Sequence, residues 1–202
     1  MVAVDARERI IVAAERLIAE RGVDVPLRDI AVAAGQRNNS AVQYHFGSRD
    51  GLIHAVADYR IADMERRRLE LLAEIETGGG DPYDVHALLS ALVLPMLTVP
   101  YEHGATHYAR FLDQVRTHPA LAADDNLDSA QRAAVRLIIT RLDRALRDIP
   151  EPLRRRRLRS LPTVLFALLA DHERGATDAT DRADELVDLL AGMLTAPVRR
   201  SI

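Results

Sequence analysis

Two short stretches near the start of the chain decide the fold: residues 30–35 (IAVAAG) and residues 44–52 (YHFGSRDGL). The first indicates the end of a short helix, because its apolar residues stop at Gly35, a residue suited to positive φ. The second places Ser48 where its hydroxyl can cap a following helix. The polar turn between the two stretches leaves room for one short helix, predicted over residues 39–45. The pattern therefore predicts two short helices joined by a tight turn, followed by a longer helix.

Helical periodicity continues along almost the whole chain. Apolar residues recur at steps of three and four, and no segment shows the sustained alternation of a half-buried strand. We predict an all-α fold of about nine helices. Their expected bounds are residues 5–21, 27–34, 39–45, 49–77, 81–100, 102–118, 125 or 128 to 148, 153–173 and 182–194. Asp81 is the expected N-cap of the fifth helix, Pro95 is expected to bend it, and Pro162 is expected to kink the eighth helix or mark its true start.

The first three helices are expected to pack as a small head. One apolar stripe in the first helix would face inward, made of Ile10, Ala13, Ala14, Leu17 and Ile18. In the second helix, Ile30 and Ala33 are expected to face the same core.

Composition sets the broad class of the protein. The chain has 202 residues, 48% hydrophobic and 28% charged, which is typical of a folded chain with room for a head and a larger body. It has no cysteine, so disulfides, thiolate metal sites and cysteine nucleophiles are excluded. A net charge of −3 argues against nonspecific coating of nucleic acid, so any DNA-binding surface must be local. The N-terminus lacks a secretory pattern and the apolar runs are too short for a membrane span, so we expect a cytoplasmic protein.

Residues 30–35 and 44–52, with residues 9–14 (RIIVAA) and Gly22, resemble the signature of the TetR family of transcription regulators. The resemblance implies a helix-turn-helix DNA-binding domain over residues 1–48 and a helical effector-binding and dimerisation domain over residues 49–202. It also implies a homodimer that binds double-stranded operator DNA, usually as a repressor released by a small apolar effector. No catalytic activity, cofactor, metal ion or membrane partner is expected.

The same resemblance implies roles for residues in the head. Ile30, Ala34, Val42 and Phe46 would pack it together, while the third helix would lie in the major groove. The spacing from Gly35 to Phe46 is one residue longer than the family's usual spacing, and Ala41 and Gln43 stand where the family has threonine and tyrosine. Gln43 is the expected base reader, with Asn38, Asn39 and Ser40 as alternatives across the extra residue. Tyr44, His45 and Arg49 are expected to contact phosphates, and Arg28 is a weaker candidate.

In the body, we expect an apolar effector pocket beside a helix bent at Pro95. Its expected lining is Leu92, Met96, Tyr101, His107, Tyr108, Phe111 and Phe166. The last two long helices carry more apolar surface than one small body needs, so they are expected to form a symmetric dimer interface. Its expected residues are Leu161, Leu165, Leu168, Leu169, Leu186, Leu189, Leu190 and Met193.

Parts of the sequence also fit other functions. His103 and His107, four residues apart, could hold zinc with a third ligand from His86, Asp113 or His118, which would suit a helical enzyme or metal-binding protein that keeps a structural helix-turn-helix. The arginine run 154–157 could form a second anion site or steer the choice of partner at a dimer rim. A regulator controlled by a protein partner, without a ligand pocket, is the remaining alternative.

Overall fold

In a computed structural model of the protein, residues 5–36, 38, 40–98, 107–122, 132–175 and 179–198 are described, and these contain helices and no strands. The predicted all-α class is confirmed. The helices are α1 (Ala6–Arg21), α2 (Leu27–Ala33), α3 (Ala41–Phe46), α4 (Arg49–Tyr59), α5 (Ile61–Thr77), α6 (Val85–Thr98), α7 (Tyr108–Val115), α8 (Pro119–Ala122), α9 (Ala133–Ala145), α10 (Glu151–Arg174) and α11 (Ala179–Thr195).

The head forms as predicted, with one correction in α2. All five residues of the α1 stripe are buried, as are Ile30, Ala34 and Val42. Ala33, however, is exposed, and Ala31 is buried in its place. In this short helix the side facing α1 consists of positions i, i+1 and i+4, so the residue at i+3 lies outside it. Gly35 follows with φ of 69°, a value that favours glycine.

The predicted long helix over residues 49–77 is two helices. Ser48 caps α4 as expected, since its Oγ accepts the Gly51 N–H at 3.0 Å. The helix is then interrupted at Arg60, between the end of α4 and the start of α5. The interruption coincides with a tertiary contact, because Arg60 Nε lies 3.2 Å from a carboxylate oxygen of Glu15 in α1. Neither glycine nor proline marks this position.

The start of α6 also differs from the expectation. Asp81 accepts the Tyr83 N–H at 2.9 Å within a preceding turn, so it is not the cap of this helix. Asp84 takes that position instead, and its carboxylate accepts the Ala87 N–H at 2.7 Å. Pro95 lies inside α6 and is buried, while α10 continues through Pro162 as one helix.

The helices pack around one continuous core. In the head, α1 packs against α2, α4 and α7. In the body, α7 packs against α10, α6 packs against α5, α9 and α11, and α10 packs against α11. The buried apolar side chains form one cluster running from α1 to α11, so the head and body share a core. Within the described parts of the chain, no helix combines the length and apolarity needed to cross a membrane.

Candidate DNA-reading surface

A hydrogen-bonded turn precedes α3 and fixes where that helix begins. The Asn38 side-chain oxygen accepts the Ser40 N–H at 3.0 Å and the Ser40 hydroxyl at 2.6 Å. The Ala41 N–H donates to the Asn38 carbonyl at 3.1 Å, and α3 begins at Ala41 rather than at residue 39. Asn38 and Ser40 therefore use polar groups within the turn, although both are exposed. Asn39, an alternative base reader, lies outside the described residues.

One face of α3 is presented to solvent. Val42 is 1% exposed and anchors the helix to the head, whereas Tyr44 is 85% exposed. Gln43 is exposed beside Tyr44, and Ser40 lies one helical turn before them, so these three side chains share a face. The Gln43 amide nitrogen donates to the Gly47 carbonyl. Because bidentate pairing with adenine needs both the amide donor and the amide acceptor, base contact would require this nitrogen to share or leave Gly47.

The C-terminal end of α3 is held to the rest of the head by aromatic contacts. Phe46 is half-buried, and the Arg7 guanidinium lies over its ring at 5.3 Å from the centroid. His45 is also half-buried, with its ring 5.1 Å from that of Tyr44 and 6.1 Å from that of Phe46, measured between centroids. Tyr44 is therefore much more accessible to a DNA backbone than His45.

The two arginines predicted near DNA lie in different environments. Arg49 is half-buried, and its Nη1 donates to the carbonyl oxygens of Val23 at 2.6 Å and Val25 at 2.8 Å. It therefore holds the loop between α1 and α2, a structural role that the sequence pattern did not indicate. Arg28 is exposed, with Nε 3.4 Å from the Asp29 carboxylate.

An exposed valine next to the turn was missed in the sequence. Val32 in α2 is 67% exposed, and the neighbouring Ala33 is exposed as well. The inward positions of α2 are 30, 31 and 34, and that register carries Val32 to the outside. The prediction that Ala33 faces the core was wrong about the buried side of α2, and it therefore did not indicate that Val32 is exposed.

The predicted pocket residues in the body lie in a packed region. Leu92, Met96, Tyr108 and Phe111 are buried, the rings of Tyr108 and Phe111 stack at 6.3 Å between centroids, and Phe166 is half-buried. Two groups expected to meet a ligand have partners inside the protein. The Tyr108 hydroxyl donates to the Ala57 carbonyl at 2.7 Å, and the His107 imidazole Nε2 lies 3.8 Å from a Glu20 carboxylate oxygen. Tyr101 lies outside the described residues.

A buried ion pair in the body was also missed. Arg68 Nη1 donates to Glu65 at 3.1 Å and Nη2 to the Leu92 carbonyl at 3.3 Å, while the other Glu65 oxygen accepts the Ala134 N–H at 2.8 Å. Burial lowers the pKa of the Arg68 guanidinium, an effect that the charge of Glu65 opposes. No sequence signal marks the pair, because an acid and an arginine three apart on a helix are usually solvated.

The predicted dimer residues divide into two groups. Leu161, Leu165, Leu169, Leu186 and Leu190 are buried within one chain, which leaves little of their surface for a partner. Leu168 and Met193 are half-buried and Leu189 is 52% exposed. The sequence pattern groups all eight leucine and methionine positions, whereas packing within one chain places five of them in the protein's own core.

The candidate zinc ligands that lie within the described residues are not brought together. His107, His86 and His118 lie near different carboxylates, those of Glu20, Asp188 and Asp50 respectively. Across the described residues, no group of three or more His, Asp or Glu side chains could hold a metal ion, and His103 lies outside them.

The arginine run is largely engaged in local contacts. Arg154 contacts Asp143 at 2.8 Å, Arg155 pairs with Glu151, and Arg157 donates to the carbonyls of Leu194 and Ala196 at the end of α11. These contacts favour a structural role over a second anion site.

Comparison with known proteins agrees with this geometry. Residues 10–56 match the model of a family described as bacterial regulatory proteins, tetR family. The match covers most of α1, all of α2 and α3, and most of α4, and so includes the whole exposed face of α3. A search of the curated proteins returned no match.

Proposed function

We propose that this chain acts as a homodimeric repressor that a small molecule releases from its operator. The chain belongs to the tetR family of bacterial regulatory proteins and is a DNA-binding transcription regulator. The observation that carries the proposal is the exposed face of Ser40, Gln43 and Tyr44 on α3, anchored by buried Val42 within the region matching the family. A helix of this kind fits the major groove of B-DNA.

Each residue of that surface has a role suited to its chemistry. Gln43 reads a base, since its amide can donate to and accept from an adenine edge. Tyr44 donates its hydroxyl to a phosphate, and Val32 supplies an apolar contact to a thymine methyl group. His45 and Arg28 are secondary phosphate contacts. Arg49 is assigned to holding the head together, because its guanidinium already bonds two backbone carbonyls.

The homodimer is supported by the outer face of α10 and α11. Leu168, Leu189 and Met193 remain partly or largely exposed there, and Gly192 between the last two leaves room for close approach. Two copies related by a two-fold axis bury the same face on each other. Such a dimer recognises an inverted repeat, with one α3 helix in each half-site.

An effector site in the body is supported by the apolar character of α6 and α7 around Leu92, Met96 and Phe111. With three phenylalanines, five tyrosines and no tryptophan in the chain, we propose a chiefly aliphatic small molecule. It releases DNA only if it binds the DNA-free arrangement more tightly. We place this activity in the cytoplasm and assign no catalytic role.

The proposal is tested by recovering DNA from a fragmented genomic pool with the purified protein. Enrichment of one inverted repeat is the expected result. The double variant Gln43→Ala/Tyr44→Ala is the matched comparison, because both side chains are exposed and their loss should leave the fold intact. Recovery of DNA without a shared repeat, or equal recovery by the folded double variant, would contradict the proposal.

A further inference from the structure

The first turn of α7 is held by carboxylates from two different helices. Glu15, on α1 of the head, accepts the His107 N–H at 3.1 Å. Glu173, near the end of α10, accepts the N–H groups of Ala109 and Arg110, each at 3.0 Å. The first N–H groups of a helix have no partner within it, and the helix dipole favours negative charge at that end. Each carboxylate thus satisfies donors that α7 cannot satisfy itself.

Glu15 also contacts Arg60, the residue at the interruption between α4 and α5. Its second oxygen lies 3.2 Å from Arg60 Nε, and the two side chains are only 4% and 13% exposed. Arg60 lies over the Tyr59 ring at 4.9 Å from the centroid, and the Tyr59 hydroxyl bonds Glu8, a second acid of α1. Three elements therefore meet at one buried carboxylate: the head, the break in the helix that follows it, and the start of α7.

This arrangement resists rotation of the head. A buried carboxylate is tolerated only while its partners remain in place, so turning α1 about Arg60 would leave Glu15 and the α7 donors unpaired together. On the opposite side, Glu173 ties the same turn to α10, the helix that carries Leu168 of the proposed dimer face. The two contacts form a continuous connection from the reading head to the dimer face.

We propose that Glu15 and Glu173 are positioning residues that clamp α7 between the head and α10, and that this clamp sets the distance between the two reading helices of the dimer. The inference rests on the proposed homodimer. Its consequence is a narrow preference for one spacing between half-sites. Neither carboxylate contacts DNA, so both act through the position of α7.

The test uses the absence of cysteine in the chain. Val32→Cys, at a position 67% exposed, gives one spin label per head, and pulsed electron resonance gives the head-to-head distance distribution in the free dimer. A narrow distribution is expected in this parent. Glu15→Gln and Glu173→Gln, which keep the side-chain shape and one acceptor oxygen, should both broaden it, whereas Asp24→Asn, an exposed carboxylate of the same head, should not.

DNA binding supplies a second readout. Changing the half-site spacing by one base pair should lower the affinity of the unlabelled protein, with Val32 retained, about tenfold, as one mismatched base pair does, and that of the unlabelled Glu15→Gln and Glu173→Gln proteins less than about threefold. Unchanged distance widths and spacing penalties in both variants would overturn the inference. So would loss of the folded dimer in both, because the carboxylates would then hold the fold and not the spacing. A parent that gives no inter-head distance would instead contradict the homodimer itself.

Discussion

Among single residues, Arg49 stabilises the head through contacts with the loop before α2, and it is not part of the exposed face of α3. It begins α4, and its Nη1 reaches back to the carbonyls of Val23 and Val25 in the loop before α2. The family resemblance implied a phosphate contact, which depends on where the side chain points. A half-buried arginine that is hydrogen-bonded to two backbone carbonyls has less freedom to turn toward a phosphate.

Replacing Arg49 with alanine should lower the free energy of unfolding by about 1.5–3 kcal/mol, since charged hydrogen bonds to two carbonyls are lost. The slope of log affinity against log salt should stay unchanged. Chemical denaturation and a salt series on operator DNA measure these quantities, with Arg28→Ala, at an exposed position of α2, expected to change stability by less than about 0.5 kcal/mol. A slope reduced by about one with unaltered stability would show instead that Arg49 contacts a phosphate.

Several residue roles in the head could be predicted from the sequence. The packing positions of Ile30, Val42 and Phe46 follow from the family resemblance, and that of Ile30 also from apolar spacing. The hydrogen bonds of Asn38 and Ser40 could not be predicted, because a short polar side chain next to an extra residue has several local partners to choose from.

At the scale of elements, Gly51 explains how α4 begins so close to α3. A Cβ at this position would lie 2.1 Å from the Phe46 carbonyl oxygen, a contact that backbone atoms cannot relieve by a side-chain rotation. Gly47 supplies the sharp turn just before it, with φ of 71°. The crossing of α3 and α4 therefore depends on a missing side chain.

Gly51→Ala reverses the usual effect of alanine in a helix. Intrinsic propensity alone would stabilise α4 by about 1 kcal/mol. The clash should outweigh that gain and lower the free energy of unfolding by about 1–3 kcal/mol, as overpacking does. Urea denaturation followed by circular dichroism gives the sign directly. A more stable variant would show that α3 and α4 move apart easily, contrary to this description.

Helix bounds were predictable where local capping determines them. Ser48 was correctly predicted to cap α4, because the hydroxyl of a serine just before a helix commonly accepts one of the first N–H groups of that helix. The interruption at Arg60 was not predictable, since no local residue marks it and the contact that coincides with it comes from Glu15, 45 positions earlier in the chain. Asp81 and Asp84 are chemically equal as caps, and only the turn at Tyr83 separates them.

At the scale of the whole molecule, α11 presents two adjacent leucines to different surroundings. Leu189 is 52% exposed on the proposed dimer face, and Leu190 is 0% exposed in the core. Sequence periodicity gave both the same role. Only packing against α6 and α10 shows which side of α11 is already covered.

Glutamate at these two positions should have opposite effects. Leu189→Glu should give folded monomers, because it charges a surface that only a partner covers. Leu190→Glu should unfold the chain, since an unpaired charge in the core costs more than about 4 kcal/mol. Light scattering gives the mass and circular dichroism the helicity. A folded Leu190→Glu protein, or an undisturbed Leu189→Glu dimer, would contradict the assignment of these faces.

The buried polar contacts of the whole molecule are what the sequence revealed least. Glu15, Glu65 and Arg68 occupy interior positions where charge is rare, and their partners come from distant segments. Helical periodicity treats such residues as solvent-facing. The burial of these residues follows from how the helices pack against one another, which periodicity does not indicate.

Selection of binding sites from a random DNA pool shows directly whether the exposed face of α3 reads operator DNA. Wild-type protein and Gln43→Ala are selected in parallel at the same salt concentration. We expect the wild type to enrich an inverted repeat, and Gln43→Ala to bind it about 1–3 kcal/mol more weakly with lost preference at one base pair per half-site. An identical selected sequence and affinity for both proteins would contradict this expectation.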